Sequence, residues 1–137
     1  MAIYSKVDLT PIWAQLHTDR KLIGESVSWD SKPGQNVSSR PRTGIPAARL
    51  WMLQTLYVFN GEAAPVDATL LLLDDSGTDH ARFAAPDQHL VPVPLPPGQA
   101  LTWTGELWVP AGWRVGVRLD GMAGGARCHW RYTAIET

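Results

Sequence analysis

The stretch Leu95-Pro-Pro-Gly-Gln-Ala-Leu-Thr-Trp-Thr-Gly-Glu-Leu-Trp-Val-Pro-Ala-Gly-Trp-Arg-Val-Gly-Val-Arg-Leu119 decides how this chain folds. Its last seven residues alternate. Trp113, Val115, Val117 and Leu119 fall on one side and Arg114 and Arg118 on the other, the period of a strand with one buried face. Pro110-Ala111-Gly112 signals a turn just before it. Ala100 to Trp108 alternates more loosely around Gly105, a position suited to a bulge, and Pro97-Gly98 turns before that.

The same texture extends outward. Leu50 to Phe59 places Trp51, Leu53, Thr55, Tyr57 and Phe59 on one face and Leu50, Met52, Gln54, Leu56 and Val58 on the other. Apolar residues on both faces predict a strand covered on both sides. Asn60-Gly61 is a turn signal. Val66 to Leu73, with four consecutive leucines, predicts the next strand, and Asp74-Asp75-Ser76-Gly77 closes it. Leu90 to Leu95 carries prolines at 92 and 94, which remove ladder donors and predict an edge strand or extended crossover. Arg127 to Ile135 predicts the last strand, with Cys128, Trp130, Tyr132 and Ala134 on one face. About six to eight short strands with turns roughly every 8–12 residues predict an all-β, antiparallel sandwich or jelly roll.

Residues 1–49 read differently. Thr10 to Leu16 predicts a short helix with Thr10 as N-cap and Pro11 at its first position. Lys21 to Trp29 predicts a strand with Ile23, Val27 and Trp29 on one face. Ser31 to Pro46 has no apolar period and reads as a tether. The expected organisation is an extended N-terminal arm over 1–49, held by a partner chain, and a sandwich body over 50–137. The arm carries seven Lys/Arg against four Asp/Glu and the body five against nine. That asymmetry suits a basic arm lying on an acidic neighbour and is too small for a nucleic-acid footprint.

No apolar run approaches the roughly 18 residues of a membrane helix, and the first residues lack the pattern of a secretory signal. A single cysteine, Cys128, precludes an internal disulfide. Chemistry is sparse. His17, His80, His89 and His129 show no metal-ligand spacing, and Cys128 and His129, adjacent on a strand, face opposite ways. Asp74, Asp75 and Asp79 lack the ligand spacing of a calcium loop and read as a turn. The expectation is no catalytic site, no metal and no cofactor. Seven tryptophans remain to be placed. Either they fill the core and contacts between subunits, or some form an exposed platform for sugar rings. Trp113 and Trp130 are expected in the core. Trp103, between Thr102 and Thr104, is expected to be exposed or interfacial.

The 95–119 stretch, with its Pro-Gly turn, strand, Pro-x-Gly turn and alternating strand, resembles the second half of small jelly-roll virion proteins of tailed bacteriophages. The nearest type is the capsid cement, or decoration, protein. The resemblance covers residues 95–119 in motif and about 50–135 in style. It implies a non-enzymatic oligomer on the outer capsid surface, made in the host cytoplasm. Its partners would be the major capsid protein and copies of itself. Arg40, Arg42 and Arg49, with Trp13 and Trp29 as anchors and Trp103 in the body, are the expected contacts. The competing reading is a carbohydrate-binding module or a tail or baseplate adhesin.

Overall fold

The computed structural model describes residues 20–80 and 92–137. They form nine strands: β1 (Lys21–Asp30), β2 (Gly34–Arg40), β3 (Trp51–Phe59), β4 (Val66–Leu73), β5 (Asp79–His80), β6 (Val93–Leu95), β7 (Ala100–Val109), β8 (Arg114–Met122) and β9 (Arg127–Glu136). The antiparallel ladders are nested. β1 pairs β9, β2 pairs β8, β3 pairs β7, and β4 pairs both β5 and β6. This is one long hairpin rolled on itself, closed by the further pairs β3–β9 and β4–β8. Sheet A runs β1-β9-β3-β7. Sheet B runs β2-β8-β4, with β5 and β6 sharing the far side of β4. The two antiparallel sheets pack as a sandwich, and the nesting makes it a jelly roll.

The core lies between the sheets. Leu56, Val58 and Ala134 of sheet A and Leu70, Val117 and Leu119 of sheet B are buried in one apolar cluster. Trp130 is fully enclosed. Burying an indole of its size hides roughly 150–250 Å² and contributes about 4–6 kcal/mol. Its ring lies 5.7 Å from Tyr132, which stacks at 5.3 Å on Trp51. Both indole N–H groups are satisfied: Trp130 Nε1 donates to Ser38 Oγ at 2.8 Å and Trp51 Nε1 to Glu136 Oε2 at 2.9 Å.

Strands β8 and β9 follow their alternation. Val115, Val117 and Leu119 are buried, as are Cys128, Trp130, Tyr132 and Ala134, while Trp113 is half-buried against the core. The leucines at 70 to 73 are all buried. The Pro110–Gly112 turn forms with Gly112 at φ 83°, a conformation costly for any other residue. The proline-bearing strand β6 pairs only with β4, at the sheet's edge.

Two expectations need correction. First, the alternation of β3 slips. Leu53 pairs Leu107 and Ala134, whereas Thr55 pairs Thr104 and Thr133, so the register shifts on both sides of Gln54. The buried set is therefore Trp51, Leu53, Leu56 and Val58. Apolar residues on both halves of the pattern reflected this bulge rather than complete cover on two sides.

Second, the body begins near Lys21, not Leu50. β1 and β2 are edge strands of the two sheets, and Val27 is buried in the core. The segment read as a tether contains β2, whose polarity is inverted. Asn36 and Ser38 pair with core residues Leu119 and Val117, and Val37 is exposed. Side-chain bonds make this polar inner face tolerable. Asn36 accepts from Lys32 N–H and donates to Lys32 C=O, and Ser38 accepts from Trp130. The expected Thr10–Leu16 helix lies outside the described residues.

Candidate interaction surface

Among the described residues, Cys128, His129, Asp74 and Asp79 make structural contacts. Cys128 is buried on the inner face of β9, where burial pushes its thiol pKa up. His129, on the outer face, stacks on Phe59 at 4.9 Å. Asp74 Oδ1 accepts from Ser76 N–H, Ser76 Oγ–H and Thr78 N–H, binding its own turn together. Asp79 pairs with Arg118 at 2.7 Å. Among the described residues no three His, Cys, Asp or Glu side chains converge to hold a metal ion. His17 and His89 lie outside the described residues.

The expected contact residues are scattered. Trp13 lies outside the described residues. Trp29 packs half-buried against the core, its indole nitrogen enclosed without a hydrogen-bond partner among the described residues. Arg40 is engaged: Nε lies 3.3 Å from Glu25 Oε1, and Nη1 donates to Ser39 C=O at 2.8 Å. This pair ties the edge strand of one sheet to that of the other. Burial above all, with the charge of the same Glu25 adding to it, pushes the Tyr132 phenol up to about 12. Arg42 and Arg49 are exposed on the connection between β2 and β3.

Trp103 is not exposed. It packs against the core with its ring over Gly105, where any side chain would collide with it. Its neighbours Thr102 and Thr104 point the other way, so their polarity marks the solvent face and places Trp103 on the inner one. The same alternation turns Trp108, between Leu107 and Val109, outward, and it is 51% exposed.

Strand register assembles what the sequence scatters. Across the outer face of sheet A, Leu22 pairs Ile135, Ile135 pairs Met52, and Met52 pairs Trp108. The result is an apolar row spanning all four strands, with Leu22 71% exposed at one end and Trp108 at the other. The next row is Gly24, Thr133, Thr55 and Thr104, with the hydroxyls of Thr55 and Thr133 2.6 Å apart. Then come Ser26, Arg131, Tyr57 and Thr102, with the Arg131 guanidinium 4.5 Å from the Tyr57 ring centre. The fourth row is Ser28, His129, Phe59 and Ala100. Arg131 is the one full charge in these four rows.

No known protein family matches this sequence, and no curated protein does. Some solved structures are similar to this chain at low identity. PirA is 11% identical with a TM-score of 0.46, over 78% of this chain and 92% of that one. A chain of the infectious bursal disease virus Gt strain is 14% identical with a TM-score of 0.41, over 85% of this chain and 32% of the viral one. The disulfide-linked pilus protein of Bacillus endospore appendages is 8% identical with a TM-score of 0.39, over 85% and 88%.

Proposed function

We propose that this chain is a non-enzymatic structural protein of a virion, of the capsid cement type, acting by burying surface between protein subunits. The observation that carries the reading is the apolar row on the outer face of sheet A. Leu22 and Trp108 are exposed large hydrophobics on a sheet face whose four rows carry one full charge, Arg131, with Glu106 exposed beside them on β7 and the Asp30–Arg127 ion pair beyond the fourth row, and their apolar row is suited to cover by another protein chain. The resemblance of the 95–119 stretch to phage cement proteins supplies the setting: the outside of a capsid, with the major capsid protein as partner. Arg42 and Arg49 are the proposed contacts to the shell, because both are exposed on one connection at the end of the sandwich.

A sugar platform fits the same face less well. It needs open aromatic rings lying in one plane. Phe59 and His129 are stacked on each other, and Arg131 occupies a face of Tyr57.

Purified protein mixed with assembled shells of a tailed-phage major capsid protein tests the proposal. The expected results are co-sedimentation and a raised melting temperature of the shell, both weakened by the double variant Arg42→Glu, Arg49→Glu. Absence of shell binding, together with specific signals on a glycan array, overturns it in favour of the adhesin reading.

A further inference from the structure

The reading above needs the outer face of sheet A to be covered, and the pattern on that face suggests by what. We infer that the occupant is the same face of a second copy, related by a two-fold axis running along the seam between β9 and β3. Such an axis lays β1 of one copy over β7 of the other and β9 over β3, while each row keeps its level along the strands.

The consequences can be read row by row. Leu22 meets Trp108 of the second copy, and Ile135 meets Met52, so the apolar row closes on itself with large opposite small at both ends. The threonine row meets a threonine row. Arg131 falls over Tyr57 of the second copy while already lying 4.5 Å from its own Tyr57 ring centre. A guanidinium between two aromatic faces is favourable, and more so when water is excluded. His129 meets Phe59, repeating between copies the stack found within one. Arg131 lies off the axis and opposite an uncharged ring, so no like charges are brought face to face in these rows.

Only an isologous contact lets a surface serve as its own complement, and a face whose rows are self-complementary in this way suits it. The size is at the threshold. Four strands about 4.8 Å apart, over the seven residues that the rows span on β1 and β9 and the nine on β7, at about 3.4 Å each, make a face of roughly 19 by 24–30 Å. Two such faces hide on the order of 900–1,100 Å², about the roughly 1,000 Å² of a specific interface. Sheets stacked this way lie with their strands nearly aligned, as the strand-parallel axis requires.

Sedimentation equilibrium on the full chain, from micromolar to near-millimolar concentration, tests the inference. The expected species has twice the 15.1 kDa chain mass. Trp108→Glu should raise the dissociation constant by roughly 10-fold or more, because it removes a large apolar contact and sets a carboxylate against Leu22 of the second copy. Leu22→Lys should also weaken the dimer. The double variant Leu22→Lys, Trp108→Glu should recover it, because each introduced carboxylate faces the ammonium introduced in the other copy. Within one chain those positions lie three strand spacings apart, about 14 Å. Val37→Glu, at an exposed apolar residue on the outer face of sheet B, should leave the dimer unchanged. A monomer at every concentration overturns the inference, as does a double variant no tighter than its parents or a dimer lost equally with Val37→Glu. A monomer that still binds shells leaves the cement reading standing. A dimer that ignores shells leaves the face-to-face pairing standing and removes the cement reading.

Discussion

Ser38→Ala is the sharpest test of how this sandwich is built. Ser38 lies in a segment whose composition looks like a loop, yet it accepts the only hydrogen-bond donor of the Trp130 side chain, at 2.8 Å. Trp130 is 0% exposed. Removing the hydroxyl leaves a buried N–H without an acceptor, at a cost of about 1–3 kcal/mol. For a chain of 137 residues each kcal/mol corresponds to about 4 °C, so the melting temperature should fall by about 4–12 °C. Ser39→Ala is the control: Ser39 pairs Gly116 on the opposite face of the same strand, and its loss should cost less than about 0.5 kcal/mol. Urea denaturation followed by tryptophan fluorescence measures both. A cycle with Trp130→Phe isolates the bond, because Ser38→Ala should cost little once the indole N–H is gone. If Ser38→Ala lies within about 0.5 kcal/mol of the parent, β2 is not packed on Trp130 and the tether reading of this segment returns.

Trp130→Ala should destabilise the fold by about 3–5 kcal/mol, whereas Trp108→Ala should cost little in a dilute melt, because its ring is half in solvent. Gly116→Ala should cost about 2–4 kcal/mol in the same assay, since a methyl there meets the Ser38 carbonyl and forces β2 away from β8. In the folded state burial holds the Tyr132 phenol up at about 12, against 10.0 for the free group. The stability this brings is intact below pH 10 and lost as pH rises toward 12, so melting temperatures should fall across that window and fall less in Tyr132→Phe. The Cys128 thiol, pushed up by burial, should resist alkylation at pH 8 until denaturant is added.

The legible parts of the fold were those where one face is buried and the other is not. Strands β8 and β9 alternate without interruption, and their buried sets could be read directly. β3 could not, because the register slip at Gln54 moves Leu56 and Val58 onto the buried face while leaving Trp51 and Leu53 there. A pattern interrupted by one bulge looks like a strand apolar on both sides. β2 was illegible for the opposite reason. An edge strand needs to cover only the margin of the core, and side-chain hydrogen bonds let Asn36 and Ser38 do it. Hydrophobic periodicity is silent where polar groups are satisfied inside.

The surface was hidden more deeply. Trp108 could have been recognised as outward from Leu107 and Val109 on either side, the alternation that also turns Trp103 inward. The row it belongs to could not. Leu22, Ile135, Met52 and Trp108 are remote in sequence, and only the pairing of β1 with β9, β9 with β3, and β3 with β7 brings them into line. The nested order of the jelly roll does this, because it sets the first and last strands beside each other. A one-residue slip in any of these ladders would turn part of the row into the core and expose its inward neighbours instead. The Gln54 bulge sits between Met52 and Thr55 and is the device that sets the phase. It lets Trp51 and Leu53 face the core at one end of β3 and Leu56 and Val58 at the other, while Met52 and Tyr57 both stay on the outer face. Deleting Gln54 should therefore leave Trp51, Leu53, Leu56 and Val58 facing the core and make the β3–β9 ladder continuous, with the mismatch falling on β7 between Thr104 and Leu107, whereas a substitution at Trp108 reaches only the outer face.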